Sequence, residues 1–337
     1  MTPIQRLLAA GTATAALLLL AAPAAPAAAA DPGAGAAQKA AAYLAANLVD
    51  GDHLTSQFGD ESITADAVLA LVAAGRPEDA GTIDAAAQYL EAHAAGYATT
   101  PEAAAKLALV ALATERDTSS FGDVDLLAAV KEGVQPDGAF GSWPGPYASG
   151  LGLVALATAG EETPAAMVDW LVQRAEPGGG WGYEPGQPAD ADSTGMAILG
   201  LAAVDAPSNE VTGAIASAVE WAGAARRADG SWPGMAPVNS TAVLGSALVA
   251  TGAEQPESVA WLEALQADDG GLPAAADGPA DLLATAQGAL LLAGASYLDL
   301  ASQAAGEGPG TLVVGIVVGV LVLGGAVAGR VVRRRRA

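Results

Sequence analysis

The chain has 337 residues, of which 52% are hydrophobic but only 4% aromatic, with 42 Gly, 20 Pro, no Cys and a formal net charge of −23. Without Cys there can be no disulfide framework, no thiolate metal site and no Cys nucleophile. The acidic balance excludes the Lys- and Arg-rich surface that binding to nucleic-acid phosphates requires.

Arg6 precedes an apolar run from Leu7 to Ala22, and small residues follow up to Ala28-Ala29-Ala30. That is the layout of a secretory signal peptide with its cleavage site, over residues 1–30. A repeated pattern fills residues 31–300. Tyr43-Leu44, Tyr89-Leu90, Leu126-Leu127, Trp170-Leu171, Trp221-Ala222 and Trp261-Leu262 each sit in an Ala-rich, helix-patterned stretch. A spacing of roughly 40–50 residues is the range of arrays of helical hairpins. Gly-rich turns follow the anchors, at Phe58-Gly59, Gly96-Tyr97, Gly138 to Trp143, Gly178 to Tyr183, Asp229 to Trp232 and Asp269 to Gly271. After each turn comes a second, more uniformly apolar helix: residues 62–75, 99–114, 147–160, 192–204, 239–252 and 281–294. Such helices form a buried layer, whereas the anchor helices keep a charged face. An open array needs polar end units. Neither the first nor the last apolar helix is polar, so the array is expected to close into a ring.

Residues 301–310 read as a linker. Residues 311–329 are uncharged and rich in Val, Leu and Gly, and Arg330 and Arg333 to Arg336 follow. Nineteen residues at about 1.5 Å each reach roughly 28 Å, enough to cross a bilayer's hydrocarbon core. The arginines place the basic tail, 330–337, in the cytoplasm and the repeat segment outside the cell. The expectation is a single-pass protein of the cell membrane. Six of the 14 basic residues lie in the tails, which leaves eight against 37 acidic ones, a formal charge of −29 for the exported part. Such a field attracts cations and basic partners.

The units resemble the prenyltransferase and squalene-oxidase repeat superfamily, whose turns read Gln-x-Asp-Gly-x-Trp. The matches are Gln135-Pro136-Asp137-Gly138 with Phe140 to Trp143, Gln173 with Gly180-Trp181-Gly182, Arg227 to Trp232, and Gln266 to Gly271. The resemblance implies an all-α (α/α)6 toroid, an inner ring of helices inside an outer ring, with a cavity along the axis. In the protein prenyltransferases Asp, Cys and His hold zinc; here there is no Cys and the only His are His53 and His93. Thioester domains of the same fold also need a Cys. Both activities are excluded.

Asp190-Ala191-Asp192-Ser193-Thr194 is similar to the Asp-x-Asp-Asp-Thr motif of class II terpene cyclases, which would make Asp192 the general acid. The last Asp is replaced by Ser193. Asp192 to Leu199 also resembles a stretch of the cobalamin carriers, and is closer still to surface proteins built from these repeats. The inner-helix starts are expected to gather Asp60, Glu102, Tyr147, Asp190, Asp192, Asn239 and Asp281 at one mouth of the ring, with Thr194 and Thr241 just inside. Caps alone account for most of these residues, but Asp190 with Asp192 is one carboxylate more than a cap requires. The ligand-binding set is Tyr147, Asp190, Asp192, Thr194, Asn239 and Thr241, for a small molecule or an extracellular partner. No motif calls for a metal or a cofactor, and cobalamin is the ligand the carrier resemblance implies. The alternatives are a cyclase-like enzyme acting through Asp192 and a non-catalytic surface protein with a filled axis.

Overall fold

The computed structural model describes residues 33–184 and 186–300. The leader, linker, apolar segment and basic tail lie outside the described residues, and among those described no helix is long and apolar enough to cross a membrane. Helices alternate between two roles. Outer helices are α1 (Ala34–Ala46), α3 (Ala80–Tyr97), α5 (Leu126–Glu132), α7 (Ala165–Gln173), α9 (Asn209–Ala225) and α11 (Pro256–Leu265). Inner helices are α2 (Asp60–Ala74), α4 (Pro101–Ala113), α6 (Pro146–Thr158), α8 (Ala191–Ala202), α10 (Pro237–Ala250) and α12 (Leu282–Leu292). The inner helices are buried around most of their circumference, from Ile63 to Leu71 in α2 and from Ser193 to Ala202 in α8. Extended pairing among the described residues is limited to a two-residue ladder, Leu272–Pro273 against Ala280–Asp281, and three isolated bridges.

The inner helices pack in sequence, α2 on α4, α6, α8, α10 and α12 in turn, and α12 returns to α2. The ring is therefore closed, and the fold is an all-α toroid. Small residues let the inner helices approach. Gly150 of α6 lies against α8 so tightly that a Cβ there would meet the Met196 carbonyl oxygen at 2.0 Å, and Gly200 faces Gly150 from α8. The outer ring closes too: the Gln266 side chain donates to the Ala36 carbonyl at 2.9 Å, across 230 positions of sequence. Next to it Gly270, at φ +97°, leaves no room for a Cβ against the Lys39 carbonyl.

One ten-residue interval ties each outer helix to its turn. The Trp181 indole donates to the Leu171 carbonyl at 2.8 Å and the Trp232 indole to the Ala222 carbonyl at 2.7 Å. Leu44 with Leu54 and Leu262 with Leu272 keep the same interval, all fully buried. In the third unit the buried pair is Val130 with Phe140. This corrects the anchor expected at Leu126-Leu127: Asp125 caps α5 and makes Leu126 its first residue, a turn too early. The second unit departs further. Its expected Gly96-Tyr97 turn is helical, because α3 runs through Tyr97 and Thr100 then caps α4 directly, with Pro101 in the first turn.

A threonine clasps four of the turns. Thr64, Thr194, Thr241 and Thr285 accept the backbone N–H of Leu54, Trp181, Trp232 and Leu272 at 2.9, 2.9, 3.0 and 2.9 Å. Each bond satisfies a donor that burial would otherwise orphan. Ser149 stands at this place in α6, fully buried, with its hydroxyl unpaired.

Candidate functional site

All six inner helices begin at one end of the ring. Asp190 accepts the Ser193 N–H at 2.8 Å, Asp281 the Ala284 N–H at 2.8 Å and Thr100 the Ala103 N–H at 3.3 Å, so these side chains act as helix caps. Residues α2, α6 and α10 start from carry no side-chain cap: Gly59, Gly145 and Ala236. One turn further in, side chains four residues apart share a face, and that face is unexpectedly polar. Lys106 of α4 donates to Asp66 at 2.9 Å and to Ser62 at 3.3 Å, both on α2. Ser240 of α10 donates to Asp192 of α8 at 2.8 Å, and Asn239 donates to Gln287 of α12 at 2.9 Å. Tyr147 of α6 completes a collar to which every inner helix contributes.

The collar surrounds the axis. Tyr147 feels the charges of Lys106, Asp66 and Asp192, so helices that are not neighbours in the ring act on one another electrostatically at this level. Past the end of α12, burial raises the Tyr297 phenol well above its ordinary value, and the charges of Asp66 and Tyr147 add to the shift. Lys106 keeps 21% of its side-chain surface although it stands on an inner helix, and Tyr147, Asp192 and Gln287 are only half-buried. Some accessible side-chain surface therefore remains within the collar at this level.

Burial pushes the Tyr147 phenol up to about 12; Lys106 opposes the shift and the charges of Asp66 and Asp192 reinforce it. Burial works against the Lys106 ammonium, but Asp66, Tyr97 and Tyr147 outweigh it and raise the pKa. Asp192 is raised above the ordinary carboxylate value, first by burial and then by the Asp190 charge, against the hydrogen bond from Ser240. Asn239 is 7% exposed and its side-chain carbonyl oxygen has no partner.

Among the residues singled out in the sequence, Tyr147, Asp192 and Asn239 belong to the collar, and Asp190 stands at its edge as a cap. Thr194 and Thr241 lie deeper than their place just inside the mouth implied: both are fully buried and hold turns. Lys106, Asp66 and Gln287 went unnoticed. A legible signal existed, since each is a polar residue in an otherwise apolar inner helix, four positions after Glu102, Ser62 and Leu283.

A separate concavity of about 680 Å³ opens on the opposite face, between the C-terminal ends of α6, α8 and α10. Glu161, Glu162, Asp169 and Asp205 line it, with helix ends that carry partial negative charge. The two histidines flank Tyr89, with His53 stacked on it at 4.5 Å and His93 at 4.2 Å. Among the described residues no group of three His, Asp or Glu is placed to hold a metal ion.

The closed double ring of helices is an all-α toroid, similar in fold to solved terpene cyclases. No protein family and no curated relative matches the sequence. Solved structures do. A protein from Actinoplanes is 17% identical, covering 80% of this chain and 99% of its own, with a TM-score of 0.58. A variant of the type II terpene cyclase MstE from Scytonema, in complex with its substrate geranylgeranyl dihydroxybenzoate, is 15% identical, covering 80% and 98%, with a TM-score of 0.61. Haptocorrin in complex with Cbi is 14% identical, covering 80% and 67%, with a TM-score of 0.55. The likeness is one of fold.

Proposed function

We propose that this is an exported toroid, held at the cell membrane by residues 311–329, that binds a small polar molecule in a hollow within the collar, at the inner-helix N-terminal mouth. The observation that carries the reading is the polar collar, above all the Asn239 carbonyl oxygen, left without a partner at 7% exposure. A desolvated acceptor is costly unless something hydrogen-bonds to it. A ligand with a donor group supplies that bond. Haptocorrin's complex with Cbi supports the idea that this fold can enclose a ligand, and makes a corrinoid the first candidate. The test is native mass spectrometry of the full chain purified in mild detergent from its own host. A retained small molecule that is lost from the Asn239→Leu variant supports the reading; a bare polypeptide that also ignores added corrinoids sinks it.

A second reading is an enzyme of the cyclase type with Asp192 as general acid. The raised pKa of Asp192 and its place beside the hollow favour it, as does the likeness to MstE. The Asp66–Lys106 ion pair at the axis opposes it, because a carbocation intermediate needs apolar and aromatic walls. Turnover of a polyprenyl panel that disappears in Asp192→Asn would establish this reading over the first.

A further inference from the structure

Five large apolar side chains stand exposed among the described residues, and four of them occupy one kind of position, the loop leading into an inner helix. Phe58 precedes α2, Trp143 precedes α6, Tyr183 precedes α8 and Met235 precedes α10, with exposures from 72% to 104%. These loops lie at the N-terminal ends of the inner helices and so at one end of the ring. Trp143 is the most informative of them. In the fourth and fifth units the turn tryptophans, Trp181 and Trp232, are buried. In the third, Phe140 fills the interior place and Trp143 points out.

Nor does Trp143 hang on a loose loop. The Glu102 carboxylate of α4 accepts the N–H groups of Ser142 and Trp143 at 2.8 and 3.1 Å, and Gly141 packs against the same carboxylate with no room for a Cβ. The next loop leans on this one, since a Cβ on Gly145 would lie 3.2 Å from the Tyr183 carbonyl oxygen. The two aromatic residues thus stand on adjoining loops, and the backbone of Trp143 is pinned, which reduces the ordering cost of engaging it. Carboxylates accompany them. Glu184 follows Tyr183 directly, and Asp60, Glu61, Asp190 and Asp281 stand at the inner-helix starts. Arg226 and Arg227 are turned to Glu257 and Ser231.

We propose that this rim is a docking surface for a basic segment of another polypeptide, whose Lys or Arg side chains stack on Trp143 and Tyr183 and pair with Glu184 and Asp190. Aromatic faces attract cations, and the surrounding carboxylates strengthen the field. A second copy of this chain would bring like charge to like charge. A bilayer fits poorly as well, because an anionic lipid surface repels the carboxylates of the rim. The proposal does not depend on a ligand in the hollow.

The test uses the full chain in nanodiscs and two fluorescent peptides, one alternating Lys and Ala and one alternating Glu and Ala, followed by anisotropy. The Lys peptide binds, the Glu peptide does not, and the complex weakens as salt rises. Replacing both aromatics (Trp143→Ala with Tyr183→Ala) weakens binding at least tenfold, while Trp143→Phe retains most of it. Glu102→Gln, which weakens the hold on the loop but leaves both aromatic rings and Glu184 in place, gives an intermediate loss. Equal binding by the double variant overturns the proposal, because the attraction is then only that of an acidic protein for a polycation. So does rim-dependent binding to neutral vesicles, or a rim-dependent dimer, without peptide binding. Small-molecule retention measured on the double variant separates the two ideas: it persists if the hollow binds as proposed, whatever the rim does.

Discussion

Lys106 and Asp66 form an ion pair 2.9 Å long that bridges two inner helices, the one such bridge among the described residues. It lies in the collar around the axis, where water is scarce and Asp66 keeps only 5% of its side-chain surface. Such a pair has a modest net effect on stability, but the loss of one partner strands the other.

Lys106→Met therefore destabilises the fold by about 3–5 kcal/mol, the range for an uncompensated buried charge. Adding Asp66→Leu recovers most of that loss, because no charge remains to be solvated. Urea denaturation of both variants checks this. Equal stability of the single and double variants would show that Asp66 does not depend on Lys106.

Thr194 and Asp190 differ by four positions, and the structure assigns them different work. Thr194→Val keeps the shape but orphans the buried Trp181 N–H, at a cost of about 1–3 kcal/mol, whereas Thr194→Ser costs much less. Asp190→Ala removes a cap and costs about 1 kcal/mol. Thermal melts of the three variants should show Thr194→Val as the least stable.

Asp192 gives the protein a pH dependence of known sign. Its folded pKa is raised above the ordinary 3.8, so over the interval above that value the folded chain holds more protons than the unfolded one. Its contribution to stability is present at low pH and declines as pH rises through that interval. Asp192→Asn cannot titrate. The stability of this variant relative to the natural chain should improve from pH 4 upward and then level off, as read from denaturation midpoints at matched ionic strength. A difference that does not change with pH would contradict the assignment.

Ring closure can be tested through a glycine pair. Gly270 and Gly252 both have positive φ, at 97° and 85°, but Gly252 has open space around its Cβ position while Gly270 abuts the Lys39 carbonyl on α1. Gly252→Ala carries only backbone strain, about 1 kcal/mol. Gly270→Ala adds overpacking at the seam between the last turn and the first helix, for a total of about 2–4 kcal/mol. Hydrogen exchange of α1 should accelerate in the second variant and not in the first.

Much of the fold was legible because helical hairpins are local. The spacing of apolar and small residues places each inner helix within a few positions, and the Gly-rich turns mark where the chain reverses. Legibility failed where the local signal was ambiguous. Leu126-Leu127 looks like an anchor, but Asp125 caps α5 there, and only the full burial of Val130 and Phe140, ten positions apart, reveals the register. Gly96 looks like a turn, yet α3 continues through it until Thr100 and Pro101 begin the next helix.

The site was legible by halves. Asp190 and Asp192 stand two positions apart in the sequence but do unlike things, one capping a helix at the rim and the other accepting a hydrogen bond from Ser240 in the collar. Thr194 and Thr241 share the helix starts that pointed to a mouth, but helical rotation turns them inward to the turns they hold.

By itself, the sequence determined that this chain is a series of hairpins with one apolar and one half-polar helix each, since both periodicity and turn chemistry act over a few residues. Only the tertiary structure decided that the last helix meets the first, that Lys106 faces Asp66 and Tyr147, and that Trp143 stands outside while Phe140 takes its place. Those outcomes depend on which faces meet after the ring closes, and residues dozens to hundreds of positions apart have no local signal by which to announce it.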